Sequence, residues 1–181
     1  MEIAALEEVL AYRNRFVVER FVDQFSVPTQ AAEEIFQDML RMLWLMAVSR
    51  VDRRNRNDSV PAGIVVYREM NVIDEMWHAF ILFSREYTDF CQRFFGFYLH
   101  HVPTTSDDRH KEKNAFTIDP ERHRQAKREE VRRQCYYTAE RLGAPTLKKW
   151  FQEYPARFPA FVSKTAAPMK SSVEELMSEL H

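Results

Sequence analysis

Residues Asn71–Pro103 read NVIDEMWHAFILFSREYTDFCQRFFGFYLHHVP, and this stretch decides the fold. Its apolar side chains recur at three- and four-residue intervals, which predicts one amphipathic α-helix. No proline interrupts the run, Asn71 is a suitable N-cap, and Gly96 stands where a left-handed C-cap residue is expected. We therefore expect one helix that ends at a His-His corner. Its apolar stripe comprises Val72, Met76, Phe80, Phe83, Tyr87, Phe90 and Phe94.

Asp74 and His78 lie on the polar side of this predicted helix, four residues apart, so their side chains can touch. In one interpretation, Asp74 is a capping carboxylate in the first turn and pairs with a solvated histidine. In the other, the carboxylate and the imidazole face a polar cleft, where His100 or His101 joins them from beyond the helix end. Because amphipathic helices carry such pairs routinely, spacing alone favours the first interpretation.

The segment Asp74–His78 has the pattern D-x-x-W-H, and Phe95–Pro103 has the pattern F-G-x-x-x-H-H-x-P. Together with Tyr87 and the Phe-Cys pair at 90–91, these residues resemble a signature of the glycine-rich domain-containing family. The resemblance implies a scaffold and a candidate cluster, but no reaction. The cluster comprises Asp74, Trp77, His78, His100 and His101. The chain departs from larger plant members at Phe80, where they carry a second histidine, and it has only three glycines.

The composition indicates an ordinary globular chain. With 181 residues, 45% of them hydrophobic, it is long enough to bury a core as one domain. A net charge of −1 argues against binding of nucleic acid or acidic membranes through the overall charge of the protein. The longest apolar stretch, 39–48, is well short of the roughly 20 residues that span a bilayer. Two cysteines, Cys91 and Cys135, and the lack of a signal-peptide pattern indicate reduced thiols in the cytoplasm.

Helical patterns cover most of the remaining sequence. Glu2–Phe25 predicts one amphipathic helix, and 30–50 predicts a central helix with an unusually broad apolar surface. A third helix begins at Asp119-Pro120 and ends at Gly143, and a short one follows from Pro145. We therefore predict an all-α fold: a single-domain irregular bundle of about five to six helices with the Trp-His helix at its centre. The domain spans residues 1–165, and residues 166–181 form a linker and a short amphipathic helix.

Two connecting segments have other patterns. Ile64–Tyr67 has the composition of a strand but no obvious partner strand, so we expect an extended segment that leads into the Trp-His helix. Thr104–Thr117 is too hydrophilic for the core and directly follows the histidine pair. It is expected to be a mobile surface loop, with a lid or a source of additional metal ligands as alternatives.

The sequence favours two classes of function. The first interpretation is a non-catalytic accessory or protein-interaction module, in which the histidine and aspartate cluster holds the chain reversal together. A protein partner or a second copy would then bind through an apolar surface or the C-terminal helix. Neither nucleic acid nor membrane is expected as a partner.

The alternative is a metal-dependent enzyme that binds non-haem iron or zinc. His78, one of His100 and His101, and Asp74 or an acid from 104–108 would be the ligands, since adjacent histidines rarely bind one ion together. The sequence contains no phosphate-binding loop, dinucleotide fingerprint or serine-nucleophile motif, which argues against those enzyme classes.

Overall fold

The computed structural model describes residues 3–54 and 60–162, and the prediction of an all-α fold is confirmed. Within these two ranges the chain forms no strand, and it forms more helices than the five to six predicted. The helices are α1 (Leu6–Leu10), α2 (Arg15–Phe25), α3 (Thr29–Arg54), α4 (Asn71–Ile81), α5 (Ser84–Phe95), α6 (Ser106–Ile118), α7 (Pro120–Leu142), α8 (Ala144–Lys148) and α9 (Tyr154–Arg157). Short 3₁₀ turns occupy Arg68–Met70 and Pro159–Phe161, and a π-helical turn, Lys149–Glu153, joins α8 to α9. The predicted segment 166–181 lies outside the described residues.

Helix α3, predicted to be central from its broad apolar surface, is the centre of the bundle, and the Trp-His helix α4 packs directly on it. Helix α3 packs against α1, α2, α4 and α7. Its buried methionines, Met39 and Met42, belong to the core and do not form a surface groove. Burial on several sides of one helix explains why its sequence has only a weak amphipathic pattern. No helix in the described part of the chain is both long and apolar enough to cross a bilayer.

The prediction of one unbroken helix from Asn71 to Gly96 is wrong. The chain turns at Leu82 and Phe83, so that α5 folds back beside α4. Positions ten residues apart lie about 15 Å apart on a straight helix. The ring centroids of Phe80 and Phe90 are nevertheless 5.3 Å apart. The shared aromatic core therefore requires the turn, although no proline or glycine marks it in the sequence. Gly96 does form the predicted left-handed C-cap, with φ 71°.

The beginning of α4 also differs from the prediction. Asn71 is not an N-cap: its side-chain amide donates a hydrogen bond of 3.0 Å to the carbonyl of Phe161. Asp74 lies in the first turn of α4, but the helix has no side-chain cap at all. The 3₁₀ turn that runs directly into α4 explains this, because its carbonyls accept the first backbone hydrogen bonds. The carboxylate of Asp74 is consequently free for other contacts.

Two further helix predictions need correction. The predicted helix 2–25 is two helices, because the side chain of Asn14 accepts hydrogen bonds from the backbone of Phe16 and Val17 and starts α2. The expected loop 104–117 is α6, whose start is a capping box between Thr105 and Asp108. Helix α6 buries none of its side chains and packs on α7, for example through an ion pair of 3.2 Å between Glu112 and Lys127.

The C-terminal helices are attached to α3 by a buried polar network. Asp38 of α3 is 1% exposed, and it accepts hydrogen bonds from the hydroxyl of Tyr154 and, at 3.0 Å, from Arg41. Lys149 of the π-helical turn lies 2.7 Å from Asp38 and 2.8 Å from Glu34. A carboxylate so deeply buried requires such partners. The network fixes the segment 149–154 against α3.

Candidate metal centre

The structure brings three of the candidate residues together at the start of α4. Asp74 and His78 are one helical turn apart, and the segment after α5 returns His101 to the same place. Nε2 of His101 is 3.1 Å from Oδ1 of Asp74, and Nδ1 of His78 is 3.7 Å from Oδ2 of Asp74. The rings of His78 and His101 are 4.4 Å apart between centroids. One potential ligand atom from each residue lies within 4.8 Å of the other two.

Trp77 holds the returning segment in place. Its indole Nε1 donates a hydrogen bond of 3.0 Å to the hydroxyl of Tyr87, which donates in turn at 2.6 Å to the carbonyl of Leu99. Burial raises the pKa of Tyr87 far above its usual range, so the phenol stays protonated and remains a donor. The ring of His101 packs on Trp77 at 4.4 Å between centroids. This chain of contacts fixes His101 relative to α4.

His100 has a different position from His101. Its ring packs against Tyr98 at 4.7 Å between centroids and is exposed. It lines the same cleft but does not belong to the group of three potential ligands. The adjacent histidine side chains therefore diverge, as the sequence predicts. Of the two, His101 lies with Asp74 and His78 in the group of potential ligands. A carboxylate not considered from the sequence, Glu75, lies 3.7 Å from Nδ1 of His78.

The three residues line a cleft of about 560 Å³. One wall is the extended segment 64–66, and another is Val102, Pro103 and Thr104. The lining contains no arginine or lysine within the described ranges, and its only ionisable side chains are Asp74 and the three histidines. The cleft therefore has an apolar wall beside a small set of nitrogen and oxygen donors, which is typical of a small-molecule or peptide site.

Two chemical states are compatible with this geometry. Asp74 and His101 can form a hydrogen bond with no further group, which stabilises the chain reversal. The same atoms can bind a metal, because ligands about 2.1 Å from one ion are about 3.0–3.4 Å from each other. The separations of 3.1 and 3.7 Å are close to that range. The two contacts involve different carboxylate oxygens of Asp74, so metal binding would draw the half-exposed His78 side chain closer to the other two ligands.

Neither cysteine extends this site. Both are free and buried, as the sequence predicts. Burial raises the pKa of Cys91, and it raises the pKa of Cys135 to about 12. Thiols of this kind stay protonated near neutral pH and are poor nucleophiles.

A model of the family described as UCP032817-like matches residues 59–135, which is less than half of the chain. This range contains Asp74, His78 and His101. The resemblance to the glycine-rich domain-containing family is wrong, because the family model that matches these residues is a different one. No curated protein and no solved structure matches the chain.

Proposed function

We propose that the protein binds a divalent transition metal, iron(II) or zinc, through Asp74, His78 and His101, and uses it in a reaction within the cleft. The observation that supports this proposal is the convergence of two imidazoles and one carboxylate in an accessible cleft. Two histidines and one carboxylate are the ligand set of non-haem iron oxygenases and of several catalytic zinc sites. The two buried free thiols support a reducing compartment, and we place the protein in the cytoplasm.

Three protein ligands would leave coordination positions open on a bound metal. A metal with open positions polarises a carbonyl or phosphoryl oxygen, or lowers the pKa of a bound water. The protein's own residues would provide two things beside it. Trp77 and Tyr87 hold His101 in place, and Glu75, which lies 3.7 Å from the same Nδ1 of His78 as Asp74 does, places a second carboxylate beside the ligand set.

Metal titration of the chelator-stripped full-length protein tests the proposal. We expect zinc and cobalt(II) to bind with 1:1 stoichiometry by calorimetry, and cobalt(II) to give d–d absorption typical of nitrogen and oxygen ligands. His101→Ala and Asp74→Asn should abolish this binding. His100→Ala is the matched control, since it removes the neighbouring histidine of the same cleft and should bind metal like the wild type. Failure of the wild type to bind, or equal loss in His100→Ala, would refute the site.

A second function, the accessory module, is favoured by one separate observation. Leu82 is 63% exposed and Phe16 is 53% exposed, and Phe16 shares a surface hollow with Phe83. Exposed apolar side chains of this size can bind a partner or a second copy. Light scattering after size exclusion tests self-association: a dimer that Leu82→Glu dissociates would support it, and a monomer would exclude the second copy.

A further inference from the structure

The extended segment beside the metal centre is held from one side by a single side chain. The backbone N–H of Val65 donates a hydrogen bond of 2.8 Å to Oε1 of Gln134. Nε2 of the same amide donates at 2.9 Å to the carbonyl of Val65. The amide of Gln134, on the buried face of α7, thus pairs with Val65 as a neighbouring strand would.

This double hydrogen bond defines the direction of the adjacent backbone groups. One side chain can reach both the N–H and the C=O of a residue only if they point the same way, which is the extended conformation. In an extended chain the N–H and C=O groups of the flanking residues, Ile64 and Val66, point to the opposite edge. Within the described residues, those groups have no hydrogen-bond partner. Residues 64–66 are therefore an extended segment with one occupied edge and one open edge.

The extended segment that carries the open edge also lines the cleft of the metal centre. Ile64, Val65 and Val66 line it together with Asp74, His78 and His101. An unpaired strand edge binds another extended backbone through main-chain hydrogen bonds. The cleft lining has no arginine or lysine in the described ranges, which argues against a phosphate-bearing ligand. Its valine and isoleucine wall instead fits the apolar side chains of a peptide.

We propose that the open edge of residues 64–66 binds an extended peptide segment, which pairs with the backbone of Ile64 and Val66. The bound peptide passes beside Asp74, His78 and His101 and is the substrate of that centre. This second statement rests on the proposed function, whereas binding at the edge does not require a metal.

Amide hydrogen exchange followed by NMR on the full-length protein tests the edge directly. In the free protein we expect the Val65 amide to be protected and the Val66 amide to exchange quickly. The probe is an acetylated, amidated hexapeptide of alternating valine and threonine, chosen for its high strand propensity. At saturating peptide we expect the Val66 amide to become protected at least about fivefold, as one added main-chain hydrogen bond implies. A Val66 amide that is already protected in the free protein, or that the peptide leaves unchanged, would overturn the proposal.

A pair of variants separates main-chain pairing from side-chain contact. Val66→Pro removes the backbone N–H, whereas Val66→Ala removes two methyl groups of the side chain and keeps the N–H. We expect the proline variant to bind the peptide at least about fivefold more weakly than the alanine variant. If the proline variant fails to fold, the same comparison is made on the ligand, with hexapeptides N-methylated on their odd or even residues. Only one of the two N-methylated hexapeptides should lose its affinity for the protein, and equal binding of both would refute edge pairing.

Peptide binding by His101→Ala distinguishes the two proposals. If the protein has no metal site but residues 64–66 do bind peptide, the wild type and His101→Ala bind the hexapeptide equally, and neither binds zinc. If the protein has the metal site but residues 64–66 do not bind peptide, the wild type binds zinc and does not bind the hexapeptide.

Discussion

Tyr87→Phe is the substitution that most directly tests how the candidate centre is assembled. The hydroxyl of Tyr87 accepts from the indole of Trp77 and donates to the carbonyl of Leu99, and all three residues are buried. Phenylalanine keeps the ring and leaves both partners unpaired. A buried polar group without a partner costs about 1–3 kcal/mol, so we expect a loss of about 2–4 kcal/mol in the free energy of unfolding. For a chain of this size, that corresponds to a decrease in Tm of roughly 4–16 °C.

Urea denaturation followed by circular dichroism measures this loss, and Tyr98→Phe is its matched control. Tyr98 packs on the ring of Tyr87 at 5.2 Å between centroids, but its hydroxyl forms no hydrogen bond within the described residues. We expect that control to change stability by less than about 0.5 kcal/mol. If Tyr87→Phe is as stable as Tyr98→Phe, the hydroxyl does not join α4 to the segment that carries His101.

Three other predictions concern the scaffold. Asn14→Ala removes the N-cap of α2 and should cost about 1 kcal/mol in urea denaturation, whereas an unchanged midpoint would show that α2 does not depend on this cap. Asp38→Ala leaves Lys149 without its buried partner and should cost about 3 kcal/mol or more in the same assay, and a loss below about 1 kcal/mol would contradict the proposed role of the network. Burial raises the pKa of Glu34, but hydrogen bonds from Lys149 and Arg157 lower it more, so its folded pKa is below its unfolded value. Its contribution to stability is therefore present above about pH 4.5 and lost as the pH falls through the folded pKa, and thermal melts of Glu34→Gln should show a shallower loss of Tm at acidic pH than the wild type.

The sequence predicts the helices well and their breaks poorly. Periodicity identifies the apolar face of Val72, Met76 and Phe80, since that signal is local. The turn at Leu82 and Phe83 carries no local signal, because it is imposed by the packing of Phe80 on Phe90. Helix α6 does have a local signal, the capping pair of Thr105 and Asp108, but its polar composition outweighed that signal in the prediction.

The candidate site shows the same division between local and tertiary information. The spacing of Asp74 and His78 brings their side chains together on one helix face, and the sequence contains that fact. The selection of His101 over His100 depends on how Trp77 and Tyr87 hold the returning chain. The pairing of Val65 with Gln134 joins residues 69 positions apart in the sequence, and no motif indicates it. Such contacts are tertiary and leave no periodic pattern.

The hydrogen bond between Asp74 and His101 does not by itself favour the accessory module over the metal centre. In the metal-free protein, one of these atoms must carry the shared proton, and their 3.1 Å separation is close to that of two ligands on one ion. The bond therefore holds both atoms near the positions that a metal requires, and binding replaces a proton with the metal at little cost in rearrangement. The two functions differ in what zinc does to the His101 ring. If a metal binds, Nε2 of His101 coordinates it and the ¹⁵N resonance of that atom shifts on zinc addition, while the ¹⁵N resonances of His100 stay unchanged. If the bond is only structural, zinc leaves both resonances unchanged, and Asp74→Asn lowers stability without altering any metal response.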